Sequence, residues 1–202
     1  MQKIDQKANK KDGSHFILGS SSPRRRELLA EIIDNFSVVL SDAEEIKSHP
    51  NGLLALVQEN ARLKADAVAQ KNPNQWVLGA DTLVALGDEV MGKPKSRDEA
   101  LSMIRLLSGQ THEVSTGLCL IRKEIDFEEC RVETSRVSFK ELKESTIEEY
   151  FREVNPLDKA GGYAIQTRAD LIIEKFEGSH SNVVGLPVEM LRDWLEQLNI
   201  LD

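Results

Sequence analysis

Short apolar runs that stop at a glycine or an acidic turn, and then give way to helix-like stretches, recur through the first half of the chain. This alternation constrains the fold more than any other feature of the sequence. His15-Phe16-Ile17-Leu18 reads as a buried strand ending at Gly19. The loop Ser20-Ser21-Ser22-Pro23 then feeds a helix, because Ser22 is a good N-cap and Pro23 suits the first helical position. Leu28, Leu29, Ile32 and Ile33 supply that helix's apolar face. A strand over Phe36–Leu40 and the acidic turn Ser41–Glu45 follow. A long helix is predicted from Gly52 to Lys71, with Leu53, Leu56, Val57, Ala61 and Lys64 near one face and Asn72-Pro73-Asn74 stopping it. The next strand, Trp76–Ala80, runs directly into Asp81-Thr82, and Gly87-Asp88 makes a hairpin-like turn between Leu83–Leu86 and Glu89–Met91.

The second half is patterned differently. A helix over Arg97–Leu107, closed by Gly109, precedes two or three strands rich in Val, Thr and Ile between Thr111 and Phe139. A helix over Thr146–Arg152, a glycine-containing segment from Pro156 to Gln166, a strand over Leu171–Phe176 and a last helix over Pro187–Leu198 complete the chain. Alternating strands and helices followed by antiparallel-looking strands indicate an α/β fold rather than a bundle or a sandwich. The 202 residues suffice for one domain with a real core, or two small lobes sharing a cleft. Residues 1–14, polar and lysine-rich, read as a loose extension ahead of a folded unit over 15–202.

Several classes of function are disfavoured. No apolar run approaches the roughly 18 residues of a membrane helix, and the N-terminus lacks the apolar stretch of a secretory signal, so a cytoplasmic protein is expected. The net charge of −8 repels a nucleic-acid backbone and directs attention to a small-molecule partner bound where positive charge gathers locally. Cys119 and Cys130 flank the polar stretch Lys123–Asp126. A hairpin there could set them opposite one another, but two reduced, hydrophobic side chains are the expectation. No histidines lie at metal-ligand spacing, and no Gly-x-x-x-x-Gly-Lys-Ser/Thr loop is present.

Positive charge gathers in Ser20-Ser21-Ser22-Pro23-Arg24-Arg25-Arg26. A helix N-terminus already carries about half a positive charge, so three arginines there oppose the helix dipole. Either the turn is simply solvated or, the favoured reading, an anion docks there with Ser20, Ser22 and backbone amides completing a phosphate cradle. Asp81, at the end of an apolar strand, is either a turn residue or a site acid. Beside a polyphosphate it needs an intervening cation, and Mg²⁺ takes one or two carboxylates together with phosphate oxygens. Glu44 or Glu45 could supply a second carboxylate, and Lys64 and Lys93 could neutralise phosphate charge or lie on the surface. The paired glycines of Asp158-Lys159-Ala160-Gly161-Gly162-Tyr163-Ala164-Ile165-Gln166 permit close backbone approach, and Gln166 offers a donor and an acceptor to a base edge.

Taken in order, Ser20-x-Ser22-Pro23-Arg24-Arg25, Glu59-Asn60-Ala61-Arg62-Leu63-Lys64-Ala65, Gly79-Ala80-Asp81-Thr82 and Gly92-Lys93-Pro94 resemble blocks of the Maf family. So do Leu107-Ser108-Gly109, Asp158 to Gln166, and Val184-Gly185-Leu186-Pro187. The resemblance covers roughly residues 15 to 198. It implies a fold related to inosine triphosphate pyrophosphatases, a mixed sheet with flanking helices and two lobes around a cleft, often as a homodimer. It also implies a nucleoside triphosphate pyrophosphatase of the dTTP/UTP branch that releases the monophosphate and pyrophosphate. By motif, Asp81 matches the proton acceptor, and Arg24, Thr82 and Gln166 match positions tied to pyrimidine selectivity. Arg25, Lys64 and Lys93 fall where phosphate contacts are expected, and Glu44, with Asp81, where a site for Mg²⁺, Mn²⁺ or Co²⁺ is expected. The family's Gly-Ile-Gln-Gly is Ala164-Ile165-Gln166-Thr167 in this chain, which would strain the loop if either glycine position needed positive φ.

On this reading Asp81 orients and deprotonates a water that attacks the α-phosphorus, while the cations screen the triphosphate. Two alternatives stand beside it: the same reaction on a different or modified base, and a nucleotide-binding regulator of cell division, the family name deriving from septum formation, with little turnover.

Overall fold

The computed structural model describes residues 15–201, so the extension read over residues 1–14 lies outside the described residues. The elements follow in the order β1 (Phe16–Gly19), α1 (Pro23–Leu29), β2 (Phe36–Val38), α2 (Leu53–Ala69), β3 (Trp76–Leu86), β4 (Glu89–Met91) and α3 (Arg97–Leu107). Next come β5 (Thr111–Arg122), β6 (Phe127–Phe139), α4 (Glu144–Glu153), α5 (Ala169–Ile172), β7 (Ile173–Glu177), α6 (His180–Val184) and α7 (Val188–Gln197). One mixed sheet runs β2-β1-β3-β5-β6-β7, with β4 paired to β3. The first three strands are parallel because α1 and α2 return the chain between them; the remaining pairs are antiparallel, β3–β4 and β5–β6 as hairpins and β3–β5 and β6–β7 across intervening helices. The expected α/β class with a mixed sheet is what the chain adopts.

Period-two alternation divides the sheet's faces. Ile17, Val77, Cys119 and Ile121 point to α2, while Phe16, Leu18, Trp76, Leu78, Leu118 and Leu120 point to the opposite layer with α1 and α7. A third cluster lies toward the other end of β3 and β5. There Val84, Val114, Val137 and Phe139 pack with Ile104, Leu107, Ile147, Tyr150 and Tyr163. The first two clusters make one lobe, on either face of the same strands, the third makes the other, and β3 passes from one to the other.

α2 can approach the sheet closely because Gly79 and Gly117 lie beneath it. A Cβ on Gly79 would come within 2.6 Å of the Ala65 backbone nitrogen, and one on Gly117 within 2.8 Å of that of Gln58.

Four sequence expectations need correction. Asp81 is not at the end of its strand: β3 continues through it to Leu86, with Asp81 opposite Gly117 on β5. The strand that ends is β1, whose Gly19 is paired with Gly79, while β4 pairs with β3 only from Val84 onward. The edge of β3 between those partners is open, which is what gives Asp81 a strand-end environment. Cys119 and Cys130 are not two reduced side chains, since the β5–β6 register sets them directly opposite, Cα atoms 4.1 Å apart, and they are joined as a disulfide. Ile32 and Ile33 lie beyond the end of α1. The strand expected from Leu171 starts at Ile173, because Arg168 takes a left-handed backbone (φ 48°) and opens the helical turn α5.

His112 on β5 is buried in the second lobe, and desolvation lowers its pKa to about 4. An unfolded chain has an ordinary histidine near 6.5, so on acidification the unfolded state takes the proton first. Stability from this group is therefore complete above pH 6.5 and is lost as pH falls toward 4, by roughly 3 kcal/mol in all. Urea midpoints compared across that range should fall less steeply in His112→Phe than in the wild type.

Candidate active site

Ser22 caps α1 by accepting from the Arg25 amide at 3.4 Å, and no acid occupies the helix's first turn. The buried Ser20 hydroxyl accepts from the Ser22 amide at 3.2 Å, so the loop ahead of α1 is fixed at both serines. Arg25 is bound more tightly into the protein than a ligand-facing arginine would be. Its Nε donates to the Gly185 carbonyl at 2.8 Å, Nη1 to the Ala80 carbonyl at 3.0 Å and to Ser20 Oγ at 3.3 Å, and Nη2 to Thr82 Oγ1 at 2.8 Å. Four of its five N–H groups are thus engaged internally, tying α1 to the open edge of β3 and to the residue after α6. Burial lowers its pKa. The Thr82 hydroxyl is likewise engaged, with Arg25 and, at 2.9 Å, with Thr116 Oγ1.

Asp81 is 5% exposed and is held from α2. Asn60 and Lys64, one helical turn apart on the same face, both reach it. Asn60 Nδ2 donates to Asp81 Oδ2 at 3.2 Å, and Lys64 Nζ donates to Asp81 Oδ1 at 2.7 Å. The lysine also bonds Glu45 Oε1 at 2.6 Å and approaches the Ala80 carbonyl at 3.4 Å. Asn60 is a cleft residue that the sequence reading did not single out, although its position four residues before Lys64 places both on one helix face. It accepts from the Ile46 amide and donates to the Ile46 carbonyl, gripping the loop that carries Glu45. Of the two acidic neighbours, Glu45 lines the cleft and meets Lys64, and Glu44 is not among the cleft-lining residues.

Arg24 faces the other wall. It donates to Asp158 Oδ2 at 2.6 Å and to the Asp158 carbonyl at 3.0 Å, and the same carboxylate pairs with Lys159 at 2.6 Å. Lys93 and Gln166 are exposed at the cleft, and desolvation together with the neighbouring Arg25 and Lys64 charges holds the Lys93 ammonium below its ordinary range. Ala164 and Thr167 both keep negative φ, and the left-handed residue nearby is Arg168. The two departures from the family's glycines therefore carry no backbone strain, and Thr167 does not line the cleft.

The cleft, 630 Å³ in volume, gathers Arg24, Arg25, Lys47, Lys64, Lys93, Lys95 and Lys159 against only Glu45, Asp81 and Asp158. In a chain of net charge −8 this is a strong local reversal of sign, suited to attracting a polyanion. Among the described residues no group of three His, Cys, Asp or Glu side chains could hold a metal ion unaided. Asp81 and Glu45 nonetheless converge on one cation, the Lys64 ammonium. Two carboxylates beside a cation-lined cleft are the donor set of a hard divalent cation shared with a phosphate-bearing ligand. No helix among the described residues is long and apolar enough to cross a membrane.

Comparison with known proteins gives the same picture. A solved Staphylococcus aureus structure, the Ham1 protein, aligns over 91% of this chain and 99% of its own with a TM-score of 0.57 at 15% identity, a likeness of fold. A Myxococcus xanthus protein named dTTP/UTP pyrophosphatase is 45% identical over 177 residues, 88% of this chain and 89% of its own length. An Acetivibrio thermocellus protein of the same name is 42% identical over 191 residues, 91% and 95% of the two chains. The family model described as Maf-like protein matches residues 15–198, nearly everything the structure describes, and the chain belongs to the Maf family.

Proposed function

We propose that this chain hydrolyses dTTP and UTP between the α and β phosphates, releasing the nucleoside monophosphate and pyrophosphate. The observation that carries this reading is a buried carboxylate, Asp81, oriented by Asn60 and Lys64 at a cleft whose walls are lined with cations. Asp81 takes a proton from a water as its oxygen bonds to the α-phosphorus. The bond from that phosphorus to the bridging oxygen breaks, and the electron pair leaves with pyrophosphate. Lys64 and Lys93 stabilise the charge that builds on the phosphate oxygens, and Arg24 contributes its charge from the rim. Arg25 acts chiefly through its grip on the Ala80 carbonyl and Thr82, which fixes the strand carrying Asp81.

A divalent cation held by Asp81 and Glu45 would add charge screening of the triphosphate, and Mg²⁺ is the proposed ion, with Mn²⁺ or Co²⁺ as substitutes. Gln166, exposed on the cleft, can accept from the N3–H of thymine or uracil and donate to a ring carbonyl. Cytosine reverses that donor and acceptor order at N3 and C4, so it is disfavoured when the Gln166 carboxamide is held in the orientation that suits thymine or uracil.

The test is ³¹P NMR of dTTP, UTP, dCTP and dATP incubated with enzyme and, in turn, Mg²⁺, Mn²⁺ and Co²⁺. Monophosphate and pyrophosphate should form from dTTP and UTP, with dCTP slower by roughly tenfold or more. Formation of diphosphate and inorganic phosphate, or no turnover with any of the three metals, would overturn the reading.

A further inference from the structure

Gln166 belongs to a loop whose placement depends on buried groups remote from Asp81. The chain from Ala160 to Gly162 makes a tight turn in which both glycines take positive φ (69° and 75°), and the Gly161 amide donates to the Gly92 carbonyl at 3.1 Å. Beyond it, two buried hydroxyls hold the backbone. Tyr150 Oη accepts from the Ala164 amide at 2.8 Å and donates to the Ala164 carbonyl at 3.1 Å. Tyr163 Oη meets His112 Nε2 at 2.7 Å. His112, Phe139 and Tyr163 pack mutually edge-to-face, with centroids 4.8 to 5.4 Å apart, so none of the three rings can turn independently.

The chemistry of the His112–Tyr163 pair is informative. His112 is 1% exposed and Tyr163 5%, and His112 Nδ1 has no hydrogen-bond partner. Burying an imidazole and a phenol for a single shared hydrogen is an unfavourable way merely to fill volume, since a Phe at either position would pack without the desolvation cost. What the polar pair supplies, and an apolar pair would not, is a directional contact that sets Tyr163 in one orientation. Tyr163 lies three residues before Gln166, and between them Ala164 is clamped and Ile165 buried. A fixed Tyr163 therefore fixes where the Gln166 carboxamide emerges.

We propose that His112 is a positioning residue for base recognition, acting through its buried contact with Tyr163 on the loop that presents Gln166 to the cleft. This rests on the reading that Gln166 discriminates the base. His112 lies on β5 five residues from Gly117, the partner of Asp81, and its effect is on binding geometry rather than on the chemical step.

The test measures kcat and KM for dTTP and dCTP in His112→Phe, Tyr163→Phe, their double variant, His112→Gln and Gln166→Ala. In His112→Phe and Tyr163→Phe the preference for dTTP over dCTP in kcat/KM should fall roughly fivefold to tenfold, chiefly through KM. The double variant should lose no more than either single one, because both remove the same contact. His112→Gln, which returns a nitrogen toward Tyr163, should recover most of the preference. A role confined to stability would lower activity on both nucleotides equally and leave the ratio unchanged. If Gln166→Ala loses the preference while folded His112→Phe and Tyr163→Phe keep it, the positioning role is overturned. If Gln166→Ala itself keeps the preference, base reading by Gln166 falls and the positioning role with it. Tyr163→Phe removes a single oxygen, so it decides the matter even if His112→Phe fails to fold.

Discussion

Gly117→Val unseats α2 and costs the fold about 3 kcal/mol or more, a drop of roughly 6–12 °C in Tm for a chain of this size. The residue lies in β5 directly under the helix, where a new side chain meets the backbone of Val57 and Gln58 rather than a movable side-chain tip. Backbone cannot yield locally, so the helix must lift or the strand must bend. Gly79→Val acts in the same way against Ala61 and Ala65. The consequence reaches the site, because α2 carries both Asn60 and Lys64 to Asp81 and, through Asn60, the loop that carries Glu45. Activity should therefore fall further than the folded fraction alone accounts for. Gly92→Ala is the control. Its nearest neighbour is a Leu83 methyl at 3.8 Å and its φ is not positive, so thermal melts should move by less than about 0.5 kcal/mol equivalent.

How far the sequence revealed this arrangement depends on whether the determining contact is local. α3 was legible to the residue, from Arg97 to Leu107, because Ser96 caps it through the Glu99 amide and Gly109 ends it with a left-handed backbone. The Ser22–Pro23 helix start was legible for the same reason. Arg25 was not. Its acceptors at residues 80 and 185 are distant in sequence, so an arginine in a basic turn looked free when most of its donors are engaged. Glu44 and Glu45 are indistinguishable as neighbours in a polar loop, and only the folded loop, clasped at Ile46 by Asn60, shows that Glu45 is the one that meets Lys64. The Cys119–Cys130 hairpin could be read, but whether the sulfurs bond depends on register, which the turn composition did not fix. His112 carried no local signal at all, since its partners Phe139 and Tyr163 come from later in the chain.

The largest expected effect on catalysis is that of Asp81→Asn. The substitution keeps the size and hydrogen-bonding reach of the side chain but removes the base, and loss of a positioned general base costs about 10²–10⁴-fold in kcat. It also removes the negative charge opposite Lys64, leaving the ammonium with Glu45 and a weak approach to the Ala80 carbonyl. The cleft then becomes more positive but loses one of its two proposed metal ligands, so affinity for nucleotide without metal should hold or rise while turnover collapses. This pattern separates a chemical role from a structural one, because a misfolded variant loses both together. The most direct measurement is pyrophosphate release from dTTP by wild type and Asp81→Asn with Mg²⁺, made alongside calorimetric titration of each protein, in metal-free buffer, with a non-hydrolysable dTTP analogue. The expected result is undiminished binding with kcat reduced at least about a hundredfold. Full turnover by a folded Asp81→Asn that still binds the analogue would contradict the assignment of Asp81 as the base.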